Sequence, residues 1–534
     1  MSATYDYIII GAGSAGCVLA NRLTEDGKHR VLLLEAGPPD RYPWIHVPIG
    51  YGKTMHHPEL NWGFWTEPDP YMGGRKVYWP RGRVLGGSSS INGLIQIRGQ
   101  AEDFDEWESL GATGWNARET LRYFIKSESN SRGANPYHGA DGPLAVSDVA
   151  GRGELPDAFV RAAGEIGIPP TDDFNGASQE GAGYLQLTTR NGRRCSAAVG
   201  YLNPAKSRSN LRIETGAHVT AITFEGQRAT GVRFIQNGAQ HSVTAAREVL
   251  LSAGALQSPQ MLQLSGIGPA ALLAEHGIPT IADLPGVGEN LQDHLALRFM
   301  FRCTRPVTTN DDLRTLWSKM RTGLRYVLFR QGPLAIGVMT AALITKVLAE
   351  SRSADMQLFM STVSAPERGA APHPFPGFTI AYYPMRPTSR GRVWIRSNDP
   401  MQAPAMLPNY ISTELDQRLM IEGARLVRKM AATPTLSSYI QEEIQPGPAM
   451  QSDSDILDAV RQHGSSGYHP SCTCRMGTDA MAVVDPRLRV HGVKGLRVVD
   501  TSVMPTLVSG NTNAATIMIA EKAADMIRED AAAI

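Results

Sequence analysis

YDYIIIGAGSAGCVLANRL, residues 5–23, decides the fold. Residues 5–10 are a short, continuously apolar run, the pattern of a strand buried on both faces. Gly11, Gly13 and Gly16 follow at once, and residues 14–25 carry Val18, Leu19, Arg22 and Leu23 at helical spacing. A second apolar run, RVLLLE at 30–35, completes a βαβ unit and ends on Glu35, 19 residues beyond Gly16. A tight turn, close approach of backbone to a pyrophosphate and close helix packing each need a residue without Cβ, and a helix N-terminus offers free N–H groups to the anion. Glu35 stands where a carboxylate takes ribose hydroxyls. A dinucleotide site follows, with Gly11, Gly13, Ser14, Ala15, Gly16, Glu35 and Ala36 as candidate contacts; which dinucleotide stays open.

The totals allow a large buried cofactor. A chain of 534 residues, 42% hydrophobic, is expected to divide into two or more domains. Lys plus Arg (52) nearly equals Asp plus Glu (51), so no overall field attracts a polyanion, and nucleic acid is not an expected partner. The five cysteines, Cys17, Cys195, Cys303, Cys472 and Cys474, are too few and odd in number for a disulfide framework, which fits a reducing compartment. Residues 1–13 lack a basic segment followed by a long apolar one. GPLAIGVMTAALITKVLAE (332–350) contains Lys346 and falls short of the roughly 20 apolar residues of a span. A cytoplasmic protein is expected, or one peripherally associated with the bacterial inner membrane. Segments 130–145, 366–378 and 445–455 read as surface connections, no internal repeat is visible, and buried-strand patterns recur at 247–252 and 495–500. One nucleotide-binding sheet is therefore expected to be assembled from distant pieces.

WPRGRVLGGSSSINGLIQIRG, residues 79–99, places Gly86, Gly87, Ser88, Ser89, Asn92 and Gly93 in a second loop of small residues. One pyrophosphate clamp serves a diffusible nicotinamide, whereas a permanently held flavin also needs its ring system fixed at the opposite end. The second loop therefore favours a flavin, against the plainer reading of a polar loop that opens a helix. SGYHPSCTCRMG, residues 466–477, leaves three readings: a metal knot, a redox thiol pair, or one base beside two incidental cysteines. A metal needs four placed ligands, and His469-x2-Cys472-x-Cys474 lacks a second cluster, with His491 alone downstream, so no metal is expected. Cys-x-Cys outside a thioredoxin-like context reads as two packed thiols.

RGRVLGGSSSINGLIQIRG, SAGALQSPQMLQLSGIG (252–268) and LPGVGENLQDH (284–294) together resemble the glucose-methanol-choline (GMC) flavoprotein oxidoreductases, and the similarity runs from residue 5 to about 528. The resemblance implies an α/β FAD-binding Rossmann-type domain built from residues 1–150, 205–297 and 465–534, and an α+β substrate domain with a mostly antiparallel sheet from 151–204 and 298–464. It implies FAD contacts at Arg83, Gly86, Gly87, Ser88, Asn92, Gly93, Ala253, Asp500, Asn511 and Thr512, with Val219 meeting the adenine through its backbone. Some relatives join a His two residues before the signature Arg covalently to the flavin; Arg81 stands there, so non-covalent FAD is expected. Residues 173–202 and 469–498 look closest to the sorbose and polyethylene glycol dehydrogenase branch.

By the same resemblance His469 matches the family's catalytic His and Asn513 its partner. Hydride leaves an alcohol carbon only as the hydroxyl proton leaves, so a base must reach that oxygen, and a neutral amide can hold it without competing for the proton. After Asn513, Ile517, Ala520, Ala524 and Ile527 form one stripe of an amphipathic helix. Residues 329–345 resemble a segment that carries Glu and two glycines in several relatives; Thr340, Ala341 and Ala342 stand there, and the absent carboxylate lowers the case for choline. Met339, Thr340, Leu343 and Tyr468 are the candidate substrate contacts, with Ile344 adding to an apolar wall, although 329–345 also reads as a core helix. The expected reaction is FAD-dependent oxidation of a neutral primary alcohol (a polyethylene glycol, a polyol or an aliphatic alcohol), with electrons passed to a quinone or artificial acceptor. The alternatives are a choline dehydrogenase, an oxygen-using alcohol oxidase, a flavin-containing lyase, a nicotinamide dehydrogenase and a non-catalytic nucleotide-binding module.

Overall fold

The computed structural model describes residues 4–337 and 339–533. Two seven-stranded sheets organise it. Their strands are β1 (Thr4–Ile10), β2 (Val31–Glu35), β3 (Gly181–Tyr184), β4 (Leu211–Thr215), β5 (His218–Glu225), β6 (Arg228–Gln236), β7 (Ala239–Leu251), β8 (Leu295–Cys303), β9 (Met339–Thr345), β10 (Met356–Ser361), β11 (Gly377–Pro384), β12 (Ile440–Gln445), β13 (Ser465–Ser466) and β14 (Leu496–Val498). The helices that matter for the site are α1 (Ser14–Thr24), α2 (Gly254–Leu264), α3 (Leu316–Phe329) and α4 (Thr512–Ala532).

The first sheet runs β4-β2-β1-β7-β6-β5, with β14 also on β7. Its centre is parallel, Ile8 lying between Leu32 and Val249, and β5, β6 and β7 form an antiparallel meander at one edge. Continuous apolar runs suit these central strands because both faces are covered: YIII and VLLLE are buried throughout. On one face, α1 lies against β1 and against α4. Close packing requires Gly16, where a Cβ would sit 1.9 Å from the Gly11 carbonyl oxygen. The stripe of α4 is buried as expected, but so are Met518, Ile519, Glu521, Lys522 and Ala523 on its other sides. The helix is thus enclosed rather than amphipathic, and Arg22 and Lys126 neutralise the buried Glu521.

The second sheet runs β12-β8-β11-β10-β9-β3, with β13 on β8, and every pairing described in it is antiparallel. Residues 339–345, read above as core helix or cavity wall, are the strand β9; alternate faces of MTAALIT are both buried, which erases the polar alternation that marks a half-exposed strand. A register shift between Met339 and Ala341 puts Met339 on the face shared by Ala342 and Ile344, while Ala341 and Leu343 enter the domain core on the opposite face. That first face, continued by Phe359, Ser361, Thr379, Ala381 and Tyr383, roofs the space between the two sheets. Strand β8 begins at Leu295 and β13 occupies 465–466, so both start on the first-domain side of the boundaries expected at 297/298 and 464/465.

Candidate active site

A cavity of about 980 Å³ lies between the sheets. At one end are the loop after β1, the end of β2 and the start of β5. Gly11, Gly13, Ser14, Ala15, Glu35, Ala36 and Val219 all line it there. The Glu35 carboxylate accepts hydrogen bonds from the Ala12 and Gly37 amides, both at 2.9 Å, and burial raises its pKa to about 7. Helix α1 starts at this wall without a side-chain cap, so its first N–H groups await an acceptor. The second glycine loop lies directly on the first: the Gly86 amide donates to the Ala12 carbonyl at 2.8 Å, and a Cβ on Gly87 would stand 2.7 Å from the Gly13 Cα. Gly87, Ser88, Asn92 and Gly93 line the cavity.

Not every expected contact faces it. Gly16 and Gly86 are packing and turn residues. The Arg83 guanidinium lies over the Trp62 ring at 5.0 Å, with Nε buried and unpartnered. Ala253 and Asp500 do line the cavity, the Asp500 carboxylate being held by the Gly254 amide and the Ser258 hydroxyl at the start of α2. Of the substrate candidates, Met339 and Tyr468 are at the wall. Thr340 is buried with its hydroxyl unpartnered, and Leu343 packs in the domain core.

The other end belongs to His469. Its backbone N–H donates to Asp293 Oδ1 at 2.7 Å, and the other Asp293 oxygen takes the Tyr410 and Ser466 hydroxyls. The Nδ1 atoms of His469 and His294 are 2.9 Å apart, and His294 Nε2 is 2.8 Å from the Met385 carbonyl oxygen. The two contacts fix both tautomers. A carbonyl only accepts, so His294 carries its proton on Nε2. Burial depresses the His294 pKa to about 4, which keeps the ring neutral and leaves Nδ1 a lone pair. His469 Nδ1 must therefore be the donor, and its Nε2 carries the lone pair. His294 is held rigidly by stacking on Tyr383, with centroids 4.4 Å apart. Burial, His294, Arg81 and Arg368 together hold the His469 pKa well below its ordinary value. The result is a neutral imidazole base at the cavity wall.

The amide that meets this base is not Asn513. Asn511 Nδ2 lies 3.0 Å from His469 Nε2, and its Oδ1 is buried without a partner. Asn513 instead accepts from the Ser14 hydroxyl at 2.7 Å, joining the N-termini of α4 and α1. Two asparagines two residues apart straddle the start of α4: the first precedes the helix and turns to His469, the second sits in its first turn and faces the glycine loop. Thr512 also lines the cavity, and α4, like α1, has no side-chain cap. Sequence reasoning missed His294 and Asp293, although both close the quoted segment LPGVGENLQDH. The cysteines are spent on packing: Cys472 and Cys474 are fully buried, burial pushes the Cys472 thiol up to about 12, and among the described residues no group of three His, Cys, Asp or Glu side chains could hold a metal.

Sequence profiles described as GMC oxidoreductase match residues 5–296 and 387–520. The chain belongs to the GMC oxidoreductase family. It is 45% identical to human mitochondrial choline dehydrogenase over 98% of this chain and 90% of the relative. It is 43% identical to an alcohol dehydrogenase [acceptor] of Pseudomonas putida over 98% of this chain and 95% of the relative. Among solved structures it resembles a pyridoxine 4-oxidase (Mesorbium loti; 29% identical, TM-score 0.89, 98% of this chain and 99% of that one). It also resembles a formate oxidase variant of Aspergillus oryzae described for its FAD modification (26% identical, TM-score 0.92, 99% of each chain). These relatives do not support the sorbose and polyethylene glycol branch expected from residues 173–202.

The cofactor of the GMC oxidoreductases is FAD, and this chain fits it. Two interlocked glycine loops, two uncapped helix N-termini, a ribose-ready carboxylate at Glu35 and the unpartnered Arg83 Nε and Asn511 Oδ1 all border the one cavity or lie beside it. Gly11, Gly13 and Ser14 would hold the pyrophosphate, Glu35 and Val219 the adenosine end, and Gly87, Ser88, Asn92 and the start of α4 the ring end.

Proposed function

We propose that the chain oxidises an uncharged primary alcohol to the aldehyde, with His469 as the base. The observation that carries the reading is the hydrogen-bond chain from His469 Nδ1 through His294 to the Met385 carbonyl, which places the lone pair on Nε2 at the cavity wall, where it meets the Asn511 amide. A bound alcohol takes the place of the Asn511 amide on His469 Nε2 and gives that nitrogen its hydroxyl proton, while Asn511 Nδ2, released from Nε2, donates to the same oxygen and fixes its position. FAD, when bound, supplies the acceptor for the hydride leaving the carbinol carbon. Met339, Phe359, Ala296 and Ala381 keep the roof of the site apolar and exclude water.

Choline is the second reading, favoured by the 44–45% identical choline dehydrogenases. Charge argues against it. Arg298 and Arg368 line the same cavity as His469, and burial with the neighbouring Arg368 pushes the Arg298 pKa down to about 10. Arg81 also lines it, its guanidinium held by the Tyr468 carbonyl at 2.7 Å. The Tyr468 ring, which could have faced a trimethylammonium group, already carries the Arg368 guanidinium at 5.0 Å. A permanent cation would have to sit near three guanidinium groups, against which the same wall sets the carboxylate of Glu367. The test is a comparison of kcat/KM for straight-chain 1-alkanols, ethylene glycol oligomers and choline, read by reduction of an electron-accepting dye. Alkanols should lead; a preference for choline would overturn the substrate assignment. Electrons are proposed to pass to a quinone, and oxygen uptake during turnover tests that. Anaerobic bleaching of the flavin by alcohol separates this reading from a lyase, which would leave the absorbance unchanged.

A further inference from the structure

Helix α3 is built inside out. In a globular protein the apolar stripe of a surface helix faces the core and the polar face meets water. Here the inward residues are Thr322 and Tyr326, while Leu316, Met320, Leu324 and Val327, at spacings of four and three, point outward with Trp317 and Leu328 beside them. Leu316 is 76% exposed, Trp317 74% and Phe329 66%. Of the 12 large apolar side chains exposed among the described residues, seven lie on these 14 positions, so the patch is a concentrated feature and not the scatter normal for a surface.

The charge around the patch is mostly basic, although Asp311 and Asp312 precede it and the Asp312 carboxylate lies 3.8 Å from the Arg321 guanidinium. Arg314, Lys319, Arg321, Arg325 and Arg330 are exposed, and residues 313–332 contain no Asp or Glu, in a chain whose overall charge is +1. On a wheel of 100° per residue, Arg321 and Arg325 border one side of the apolar stripe and Lys319 the other. A stripe of Leu, Trp, Met and Val edged by Lys and Arg is the pattern of a helix that lies in the interface of an anionic bilayer, its apolar side among the acyl chains and its cations at the phosphates. The chain has no helix among its described residues long and apolar enough to cross a membrane, so this would be contact with one leaflet. Position adds a consequence: Leu313, Lys319, Thr322 and Gly323 line the cavity.

We propose that α3 docks the protein on an anionic lipid surface and opens the mouth of the cavity at that surface. An apolar alcohol and a lipid-soluble acceptor partition into the bilayer and would enter without crossing water. Docking itself stands apart from the alcohol reading, because it is measured without turnover. The experiment is sedimentation of the full-length FAD-loaded protein with vesicles of phosphatidylcholine mixed with phosphatidylglycerol, and with phosphatidylcholine alone. It compares the native chain, Trp317→Glu combined with Leu324→Glu, and Arg321→Glu combined with Arg325→Glu. These side chains are exposed and do not line the cavity, so FAD content and turnover of a short water-soluble alcohol should be unchanged. Binding to anionic vesicles should fall at least ~10-fold in both variants, and salt should weaken that of the native chain. Equal binding by all three proteins would overturn the assignment. So would a native chain that ignores both vesicle types and is dimeric in solution while the Trp317/Leu324 variant is monomeric, which would make the face a contact between copies.

Discussion

Replacing His294 by Phe isolates the hydrogen-bond chain from His469 to Met385. The ring stack on Tyr383, at 4.4 Å, survives in shape, and no charge is removed, since His294 is neutral above a pKa of about 4. Two hydrogen bonds go: the one from His469 Nδ1–H, at 2.9 Å, and the one to the Met385 carbonyl, at 2.8 Å. A buried donor left without an acceptor costs about 1–3 kcal/mol. For His469 that cost falls on one tautomer only. With Nδ1 unpaired, the proton gains by moving to Nε2, where the lone pair needed for the alcohol is lost. If the whole cost is expressed as depletion of the reactive tautomer, turnover falls roughly 5- to 150-fold, at 1.36 kcal/mol per factor of ten. The assay is the rate of anaerobic flavin bleaching by a primary alcohol at saturation, with FAD content and thermal midpoint recorded beside it. His294→Asn, which can keep an acceptor near the old Nδ1 position, should recover part of the rate. A His294→Phe protein with native FAD content and an undiminished bleaching rate would refute the tautomer argument outright.

His469→Ala should lower alcohol turnover by at least ~100-fold, the low end for a general base, while leaving FAD bound; steady-state rates and the visible spectrum check both. Asn511→Ala and Asn513→Ala should part company: the first lowers kcat because its amide meets His469, the second weakens FAD retention because its bond goes to Ser14 in the glycine loop. Acid should destabilise the fold through His294, whose pKa falls from 6.5 to about 4 on folding. Between those values the unfolded chain binds the extra proton, so the contribution is complete above pH ~6.5 and is lost as pH falls towards ~4, amounting to about 3 kcal/mol at 1.36 kcal/mol per unit. Denaturant titrations across that range should show the loss in the native chain and a smaller one in His294→Phe.

The nucleotide half of the site was legible because its requirements are local. Strand, glycines, helix and acid follow one another within residues 4–35, and each signals its own backbone need. The roof of the cavity was not. Both faces of β9 are buried, so MTAALIT carries no alternation by which to tell strand from helix, and the shift of register at Thr340 moves Met339 to the cavity face while sending Leu343 to the core. Which of Asn511 and Asn513 turns to His469 was not legible for a related reason. In GNTNAAT both amides lie at the mouth of α4, and only the orientation of that helix start decides which one turns to His469. His294 escaped notice because its partner lies 175 residues away and its second contact is a backbone carbonyl, which no side-chain motif records. The outward face of α3 was hidden differently: its periodicity is that of an ordinary amphipathic helix, and only its seating on Thr322 and Tyr326 shows that the apolar side is the free one.

The base is oriented by a neutral imidazole and not by a carboxylate, and this difference governs where the proton goes next. A carboxylate at the His294 position would stabilise a protonated His469 and raise its pKa; the nearest acid, Asp293, is instead turned to the backbone N–H of His469 and to two hydroxyls. Arg81 and Arg368 add positive potential at the same ring. A protonated His469 is therefore a poor resting state, tolerable only while negative charge lies beside it. The aldehyde is neutral and the hydride's charge passes to the acceptor, so the proton taken from the alcohol should stay on His469 after the aldehyde leaves and be lost only when that charge is removed. In a weakly buffered anaerobic stopped-flow experiment with a pH indicator, no proton should therefore reach solvent as the aldehyde departs at pH 7. Release in step with aldehyde departure would show that the acceptor's charge does not hold the proton against the guanidinium groups.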